Sequence, residues 1–194
     1  MRNILASLVA AGAMLVPATA ALAQARASVL VVDTGRIGRE CTACKAAGTA
    51  INGQITAARA RAQTLGTQWQ TEEKALETAV AALAGKQPDA ALSQRIQRYQ
   101  ASRQQGQNEL SQKESQIQSI EANVQQQLAN RIVLISEQVR VRRQADIVIA
   151  KNSTLASNSA GDITAEVLTA LNQQLPSVSV TPLPQQQQAA PAGR

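Results

Sequence analysis

The long polar segment from residue 41 to residue 143 constrains the fold of this 194-residue chain more than any other feature. From Ile51, apolar residues recur mostly in alternating steps of four and three, which is the heptad pattern of packed helices. The positions are 51, 55, 58, 62, 65, 69, 76 and 83. Ala, Gln, Glu, Lys and Arg fill most of the positions between them, and all are good helix formers. The pattern predicts one long helix with a narrow apolar seam.

The sequence LAGKQPDAAL interrupts this helix and predicts a turn near residues 85–88. Gly85 suits a helix end, Pro88 suits the first turn of the next helix, and Asp89 favours its positive end. A second seam follows at Leu92, Ile96, Tyr99, Leu110, Ile117, Ile120, Val124, Leu128, Ile132, Ile135 and Val139. Two helices joined by so few residues run antiparallel, over roughly 60–80 Å. Residues 41–143 are therefore predicted to form a helical hairpin, or arm.

The second seam is weak between Tyr99 and Leu110. Arg103 and Gly106 stand there at positions where a tight coiled coil has Leu or Ile. Seams this polar and Ala-rich predict shallow apolar strips rather than a filled core. A heptad repeat does not itself specify a function, so an ordinary structural coiled coil satisfies the same pattern.

Short apolar runs flank the arm on both sides and predict two strands that pair where the hairpin returns the chain. Their residues are Val29, Leu30, Val31 and Val32 before the arm and Ile147, Val148 and Ile149 after it. Thr154 to Ala156 suggests a further strand. Asp162 is a good N-cap for an amphipathic helix to Leu175, with Glu166 in its first turn. The predicted fold class is α+β, with residues 24–40 and 144–175 forming a β-rich body.

A body of three or four strands and one helix buries little surface and leaves strand edges exposed. Oligomerisation through the strands listed above would cover these edges and bury more surface. We therefore expect the body to be the assembly unit and the arm to project from it.

The two ends of the chain have distinct compositions. Residues 1–23 carry Arg2, an apolar run from Ile4 to Val16 and the small residues Ala21-Leu22-Ala23, which is the layout of a secretory signal peptide. Residues 176–194 are rich in Pro and Gln and predict a disordered tail. The expected product is an exported protein with a cleaved leader.

Composition narrows the classes of function. The chain has no Phe and no His, one Trp and one Tyr. The commonest general base and every imidazole-based triad are therefore missing, and we expect neither an enzyme nor a cofactor. The net charge is +6, and loss of a leader carrying only Arg2 leaves +5. For an exported protein this predicts acidic proteins or anionic lipid as partners, not nucleic acid.

Three short motifs have more than one interpretation. Cys41 and Cys44 form CTAC, which suits a local disulfide in an oxidising compartment, a redox site, or half of a zinc site. The sequence GRIGRE, residues 35–40, is interpreted as a flexible joint between strand and arm. Arg142 and Arg143 precede the last main strand and could meet anionic clients or lipid, or form a solvated helix end.

Up to about Leu175, the chain resembles the OmpH/Skp family of periplasmic chaperones. The resemblance is carried by the leader, the segment VVDTGRI, the Gln-rich hairpin, and the segments DIVIA and NSAGDITAEVLTAL. The resemblance implies a homotrimer whose strands form a central barrel-like body from which the arms hang as tentacles. It also implies that the arms enclose unfolded outer-membrane proteins before membrane insertion, without ATP. It also implies contact with anionic lipid or lipopolysaccharide, although the family's basic cluster for lipopolysaccharide cannot be placed here residue by residue. CTAC, the Pro/Gln tail and arms without Phe depart from the better-known members.

Two functions fit these features of the sequence. The first is a periplasmic holdase chaperone, with Ile117, Ile120 and Val124 as the arm residues expected to face the client. The second is a coiled-coil spacer or scaffold of the cell envelope. The mixed strand–helix body favours the chaperone, because a spacer needs no such body and would be expected to have Leu-rich seams.

Overall fold

The computed structural model describes residues 27–183. The expected leader, residues 1–23, and the last residues of the expected tail lie outside this range. The order of elements is β1 (Val29–Val32), α1 (Thr34–Glu40), α2 (Thr42–Ala81), α3 (Ala90–Arg142), β2 (Ile147–Ala150) and α4 (Thr164–Gln174), with short 3-10 turns at Lys151–Ser153 and Ser159–Gly161. No helix within residues 27–183 combines the length and apolarity that crossing a membrane requires.

The two long helices predicted from the heptads are confirmed. α2 has 40 residues and α3 has 53, which correspond to about 60 Å and about 80 Å. Two ion pairs show that they run in opposite directions, because Arg61 of α2 pairs with Glu109 while Glu72, farther along α2, pairs with Arg95.

The turn between the long helices differs from the prediction by two residues. α2 ends at Ala81, and Ala84 and Gly85 then adopt the left-handed conformation with φ of 49° and 86°. α3 begins at Ala90, with Asp89 as its N-cap accepting a hydrogen bond from the Leu92 N–H at 2.7 Å. Pro88 therefore precedes the cap instead of lying in the first turn, because the Asp89 carboxylate takes the capping position.

The body contains one two-stranded parallel sheet, in which Val29 pairs with Ile147 and Val32 with Ala150. The arm is thus the crossover connection that parallel strands require. A buried cluster lies against this sheet and joins the strands to α1, α4 and the base of the arm. It contains Leu30, Val32, Ile37, Cys41, Ala43, Ile135, Val139, Ala145, Ile163, Val167 and Leu171.

The predicted joint at residues 35–40 is wrong, because these residues lie in helix α1. Asp33 caps this helix by accepting a hydrogen bond from the Arg36 N–H at 2.7 Å. Ile37 is fully buried in the body cluster. The cap and this buried side chain fix a segment that its two glycines suggest is flexible.

The predicted strand at Thr154–Ala156 is also wrong. The Thr154 N–H and hydroxyl both donate to the Lys151 carbonyl, which closes a 3-10 turn, and Leu155 is fully exposed. A single bridge between Val31 and Asp162 takes the place beside β1 instead. The described protomer therefore contains two strands, not three or four.

The start of α4 is shifted by one residue from the predicted cap. The cap position is Ile163, while Asp162 accepts a hydrogen bond from the Thr164 N–H at 3.0 Å and receives the Lys151 ammonium at 2.8 Å. These bonds, that from Lys151 foremost, hold the pKa of Asp162 well below its usual range. Asp162 thus joins the 3-10 turn, β1 and α4, and Glu166 lies in the first turn of α4 as predicted.

The part of the predicted disordered tail that the structure describes lies against the arm. Residues 176–183 return along α3, and Val178 and Val180 pack against the arm. The side chains of Ser119, Asn123 and Gln127 all bond to the backbone of this segment. The proline-rich composition of the tail predicts disorder, but it does not take account of Val178 and Val180, whose apolar side chains pack against the arm.

Candidate functional site: apolar surfaces of the arm and the sheet

The half of the arm next to the body is closed by a small apolar cluster. Ala47 of α2 and Ile120 and Val124 of α3 are its buried members. Ile51, Leu128, Val178 and Val180 pack against them. Of the three residues predicted to face a client, Ile120 is 1% exposed and Val124 is 6% exposed. In this conformation the opposite helix and the tail cover these two side chains, and their contact with a client stays a prediction.

The half of the arm next to the turn is closed by an aromatic side chain. The indole of Trp69 on α2 lies against Gly106 of α3, which is buried. The guanidinium of Arg103 lies 5.7 Å from the centre of the Trp69 ring and 5.8 Å from that of Tyr99. The gap at Gly106 is therefore filled from the opposite helix by Trp69, and Arg103 makes cation–π contacts with that ring and with Tyr99.

Between these two closed regions the seam is shallow and partly open. Ile117, the third residue predicted to face a client, is half-buried there. One cavity of about 400 Å³ beside it has a mostly apolar lining of Ile55, Ala58, Arg59, Ala62, Leu110, Glu114, Ile117 and Gln118. A second cavity of about 250 Å³ lies beside Arg61, Glu109 and Lys113. Ile117 contributes to both, so this part of the arm offers apolar surface rimmed by charges.

The sheet offers a second apolar surface. β1 lies between β2 and the bridge at Asp162, so the outer edge of β2 has no strand beside it in the described protomer. Val29 and Ile147, which are register partners, are 43% and 46% exposed. A cavity of about 430 Å³ lies between β2 and α3, where the buried Ser136 hydroxyl has no hydrogen-bond partner within residues 27–183.

The two arginines before β2 are engaged by a carboxylate. Arg142 lies 2.7 Å and Arg143 3.0 Å from the carboxylate oxygens of Glu166 on α4. The hydrogen bond from Arg142, with that from Arg143, lowers the pKa of Glu166. These arginines therefore tie the arm to α4, although both side chains remain about half exposed.

Cys41 and Cys44 are joined by a disulfide at the junction of α1 and α2. Cys41 is fully buried in the body cluster. Thiol exchange needs access to a sulfur, and Cys44 is half-buried rather than exposed. The placement therefore favours a local structural bond over a redox centre. Within residues 27–183 no group of three or more His, Cys, Asp or Glu side chains is arranged to bind a metal.

Comparison with known proteins agrees with this architecture. Residues 28–171 match the protein family described as outer membrane protein (OmpH-like). Among solved structures, the chain is similar to an OmpH-like protein from Caulobacter crescentus CB15, described as a candidate outer membrane chaperone. Their TM-score is 0.69 at 20% sequence identity, over 84% of this chain and 95% of that one, which shows a shared fold. No curated protein matches this chain.

Proposed function

This chain belongs to the OmpH-like family, and on that premise we propose that it is an ATP-independent periplasmic holdase chaperone. Its clients are unfolded outer-membrane β-barrel proteins, which it keeps from aggregating before membrane insertion. The observation that carries this proposal is the partly open apolar seam around Ile117 on a long arm.

Weak apolar contacts suit a protein that must release its client. Full burial of one large apolar side chain contributes about 1.5–3 kcal/mol, so a deep dry interface would trap an unfolded chain. The strips beside Ile117 are shallow and rimmed by charges of both signs, which are Arg59, Arg61, Glu109, Lys113 and Glu114. Several such contacts around one enclosed client add up through effective concentration rather than through any one tight site.

We propose a homotrimer assembled through the sheet. The free outer edge of β2 supports this, since an exposed strand edge is a template for pairing with another chain. The exposed apolar pair Val29 and Ile147 lies on the same sheet. Three bodies joined there would direct three arms around a common space.

The charge of the chain supports electrostatic capture. The net charge of the chain is +6, and a trimer would carry three times the net charge of each subunit. Long-range attraction accelerates the encounter with acidic unfolded chains and is screened by salt. Association should therefore slow as salt rises, while the complex survives moderate salt because apolar contacts retain the client.

The test is light scattering of a porin diluted from urea, with and without this protein. Suppression of scattering by about one trimer per porin is expected without ATP. Ile117→Ser should weaken suppression, whereas Leu155→Ser, at a fully exposed body position away from the arm, should leave it unchanged. No suppression at a threefold molar excess of protomer would refute the holdase and leave a coiled-coil scaffold of the envelope as the alternative.

A further inference from the structure

The described end of the tail, residues 176–183 (the tail segment), lies extended along the arm. Its burial alternates from Ser177 to Thr181, because Val178 and Val180 are half-buried while the residues beside them are exposed. Pro182 is exposed and Leu183 is half-buried, so the alternation ends there. Val178 and Val180 pack on the apolar cluster formed by Ala47, Ile120 and Val124. We call this cluster, with Ile51 and the polar row described next, the seam groove.

Three polar side chains of α3, spaced four residues apart, contact the tail segment through its backbone, and the Gln127 amide also donates to the Asn123 side chain at 3.1 Å. The Gln127 amide donates to the Ser179 carbonyl at 3.0 Å and accepts from the Ser179 N–H at 2.9 Å. The Asn123 amide donates to the Thr181 carbonyl at 2.9 Å. The Ser119 hydroxyl accepts from the Leu183 N–H at 2.9 Å. These bonds do not depend on which side chains the bound segment carries.

Backbone bonds along one row, with apolar contacts at alternate side chains, are the two elements by which proteins bind extended peptides. We propose that the seam groove is a binding site for extended polypeptide segments with an apolar residue at every second position. The tail segment is its intramolecular occupant and competes with the client. This inference rests on the proposed function and assigns the client class to a specific surface.

The proposed ligand matches the chemistry of β-barrel strands. Membrane-spanning strands of such barrels alternate apolar and polar residues over about ten positions. The tail segment carries this alternation at Val178 and Val180. The cavity beside Ile117 lies next to the groove, about one helical turn closer to the tip of the arm. On α2 this step leads from Ile51 to Ile55, and on α3 it leads from Ile120 to Ile117. A bound segment longer than residues 176–183 can therefore extend along the groove into that cavity.

Tethering explains how so few contacts keep the groove filled. A segment held by a short connection in the same chain, as the tail segment is directly after α4, acts at an effective concentration on the order of a millimolar. A free peptide at micromolar concentration therefore competes poorly with the tail, whereas a long client that also contacts other parts of the arms displaces it.

The first experiment uses the full chain with Val178→Ser and Val180→Ser, which frees the groove. A fluorescein-labelled peptide with the sequence of residues 176–183, PSVSVTPL, is titrated and followed by anisotropy. The double variant should bind it at least about tenfold more tightly than the unmodified chain. PSSSSTPL, which lacks both valines, should bind at least about tenfold more weakly to the same variant. Equal binding of PSVSVTPL by the variant and the unmodified chain would overturn the proposal.

A further substitution tests the backbone contacts. Gln127→Ala in the double variant should weaken binding of PSVSVTPL by roughly threefold to tenfold, because it removes two hydrogen bonds. Gln126→Ala is the matched control, since Gln126 is exposed on the adjacent position of α3. Equal affinity of the Gln127 and Gln126 variants would contradict the role of the polar row.

A measurement on the unmodified chain avoids any effect of mutation on folding. In hydrogen exchange, the Ser179 and Leu183 amides should be protected, and excess unfolded porin should remove that protection. Unprotected amides in the free protein would overturn the inference. The porin scattering assay separates the two proposals: suppression without peptide binding by the double variant refutes only the groove. Peptide binding without suppression refutes only the holdase.

Discussion

The indole ring of Trp69 fills the space that a β-carbon on Gly106 would occupy in the opposite helix of the arm. Such a β-carbon would also lie 3.2 Å from Cδ1 of Leu65. The absence of a side chain on Gly106 therefore lets one large aromatic residue bridge the two helices. We therefore expect this contact to favour the observed alignment of α2 against α3 in the half of the arm next to the turn.

Gly106→Ala should destabilise the arm. The added methyl group overlaps the Trp69 ring and forces it or the helices to move, which costs about 1–3 kcal/mol in overpacked sites. This loss should exceed the gain of about 0.5–1 kcal/mol that Ala brings to a helix interior. Thermal denaturation followed by circular dichroism, with Trp69 fluorescence as a local probe, measures the effect.

Gly66→Ala is the matched control. Gly66 also lies inside a long helix, but a β-carbon there meets no atom within 4 Å. This substitution should leave stability unchanged or raise it. If both variants gained stability equally, the Trp69–Gly106 contact would not determine the packing of the arm.

The sequence predicted the arm well because heptad spacing depends only on local helix geometry. The heptad pattern predicted weak packing at Gly106 because it describes the residues of one helix and not those of the helix opposite. The side chain that fills the gap, Trp69, belongs to the other helix, 37 positions earlier in the chain. A lone large aromatic residue at a seam position of one helix was the available signal for a glycine opposite.

The tail shows the same limit for composition. Proline and glutamine content predicts disorder when averaged over residues 176–194, although Val178 and Val180 already show the period of an extended segment. The burial of Ile120 and Val124 was missed for the same reason, since the tail segment that packs against them is distant in sequence. The strand predicted at residues 154–156 is replaced by a 3-10 turn, which hydrogen bonds from Thr154 to the Lys151 carbonyl close. The flexible joint predicted at residues 35–40 is a helix, which Asp33 caps.

Glu166→Gln should lower stability at neutral pH. Since the pKa of Glu166 is lowered in the folded protein from its ordinary value of 4.5, its ion pairs with Arg142 and Arg143 stabilise the fold above that value. Their contribution is lost as pH falls through the lower, folded pKa. The difference in unfolding free energy between the two proteins should be about 1 kcal/mol at pH 7, because the groups are partly exposed. It should shrink steadily below pH 4.5.

Urea denaturation at a series of pH values measures this difference. Glu77→Gln, at an exposed position of α2, controls for the loss of one carboxylate. A constant gap between the Glu166 variant and the unmodified protein down to pH 2 would show that the two arginines do not stabilise the fold through this carboxylate.

Replacing both cysteines, Cys41→Ser with Cys44→Ser, should lower the melting temperature and leave suppression of porin aggregation nearly intact. The bond closes a short loop at the start of α2, so its effect should be at the low end of the range for disulfides, about 1–2 kcal/mol. Part of that loss comes from placing a hydroxyl at Cys41, which is fully buried. An insulin reduction assay on the unmodified protein should show no activity, and clear activity would favour the redox interpretation.

Ile147→Asp should dissociate the proposed trimer without unfolding the protomer. Ile147 is 46% exposed in the protomer, so the carboxylate stays hydrated there. In an assembly formed through the free edge of β2 the same carboxylate would lose water without gaining a partner, which costs several kcal/mol per subunit. Light scattering coupled to gel filtration should report a trimer for the unmodified chain and a monomer with unchanged helical circular dichroism for the variant. Val80→Asp, 47% exposed near the tip of the arm, is matched in chemistry and exposure and should remain trimeric. If the Ile147 variant also remained trimeric, the assembly would have to form through a surface other than this sheet.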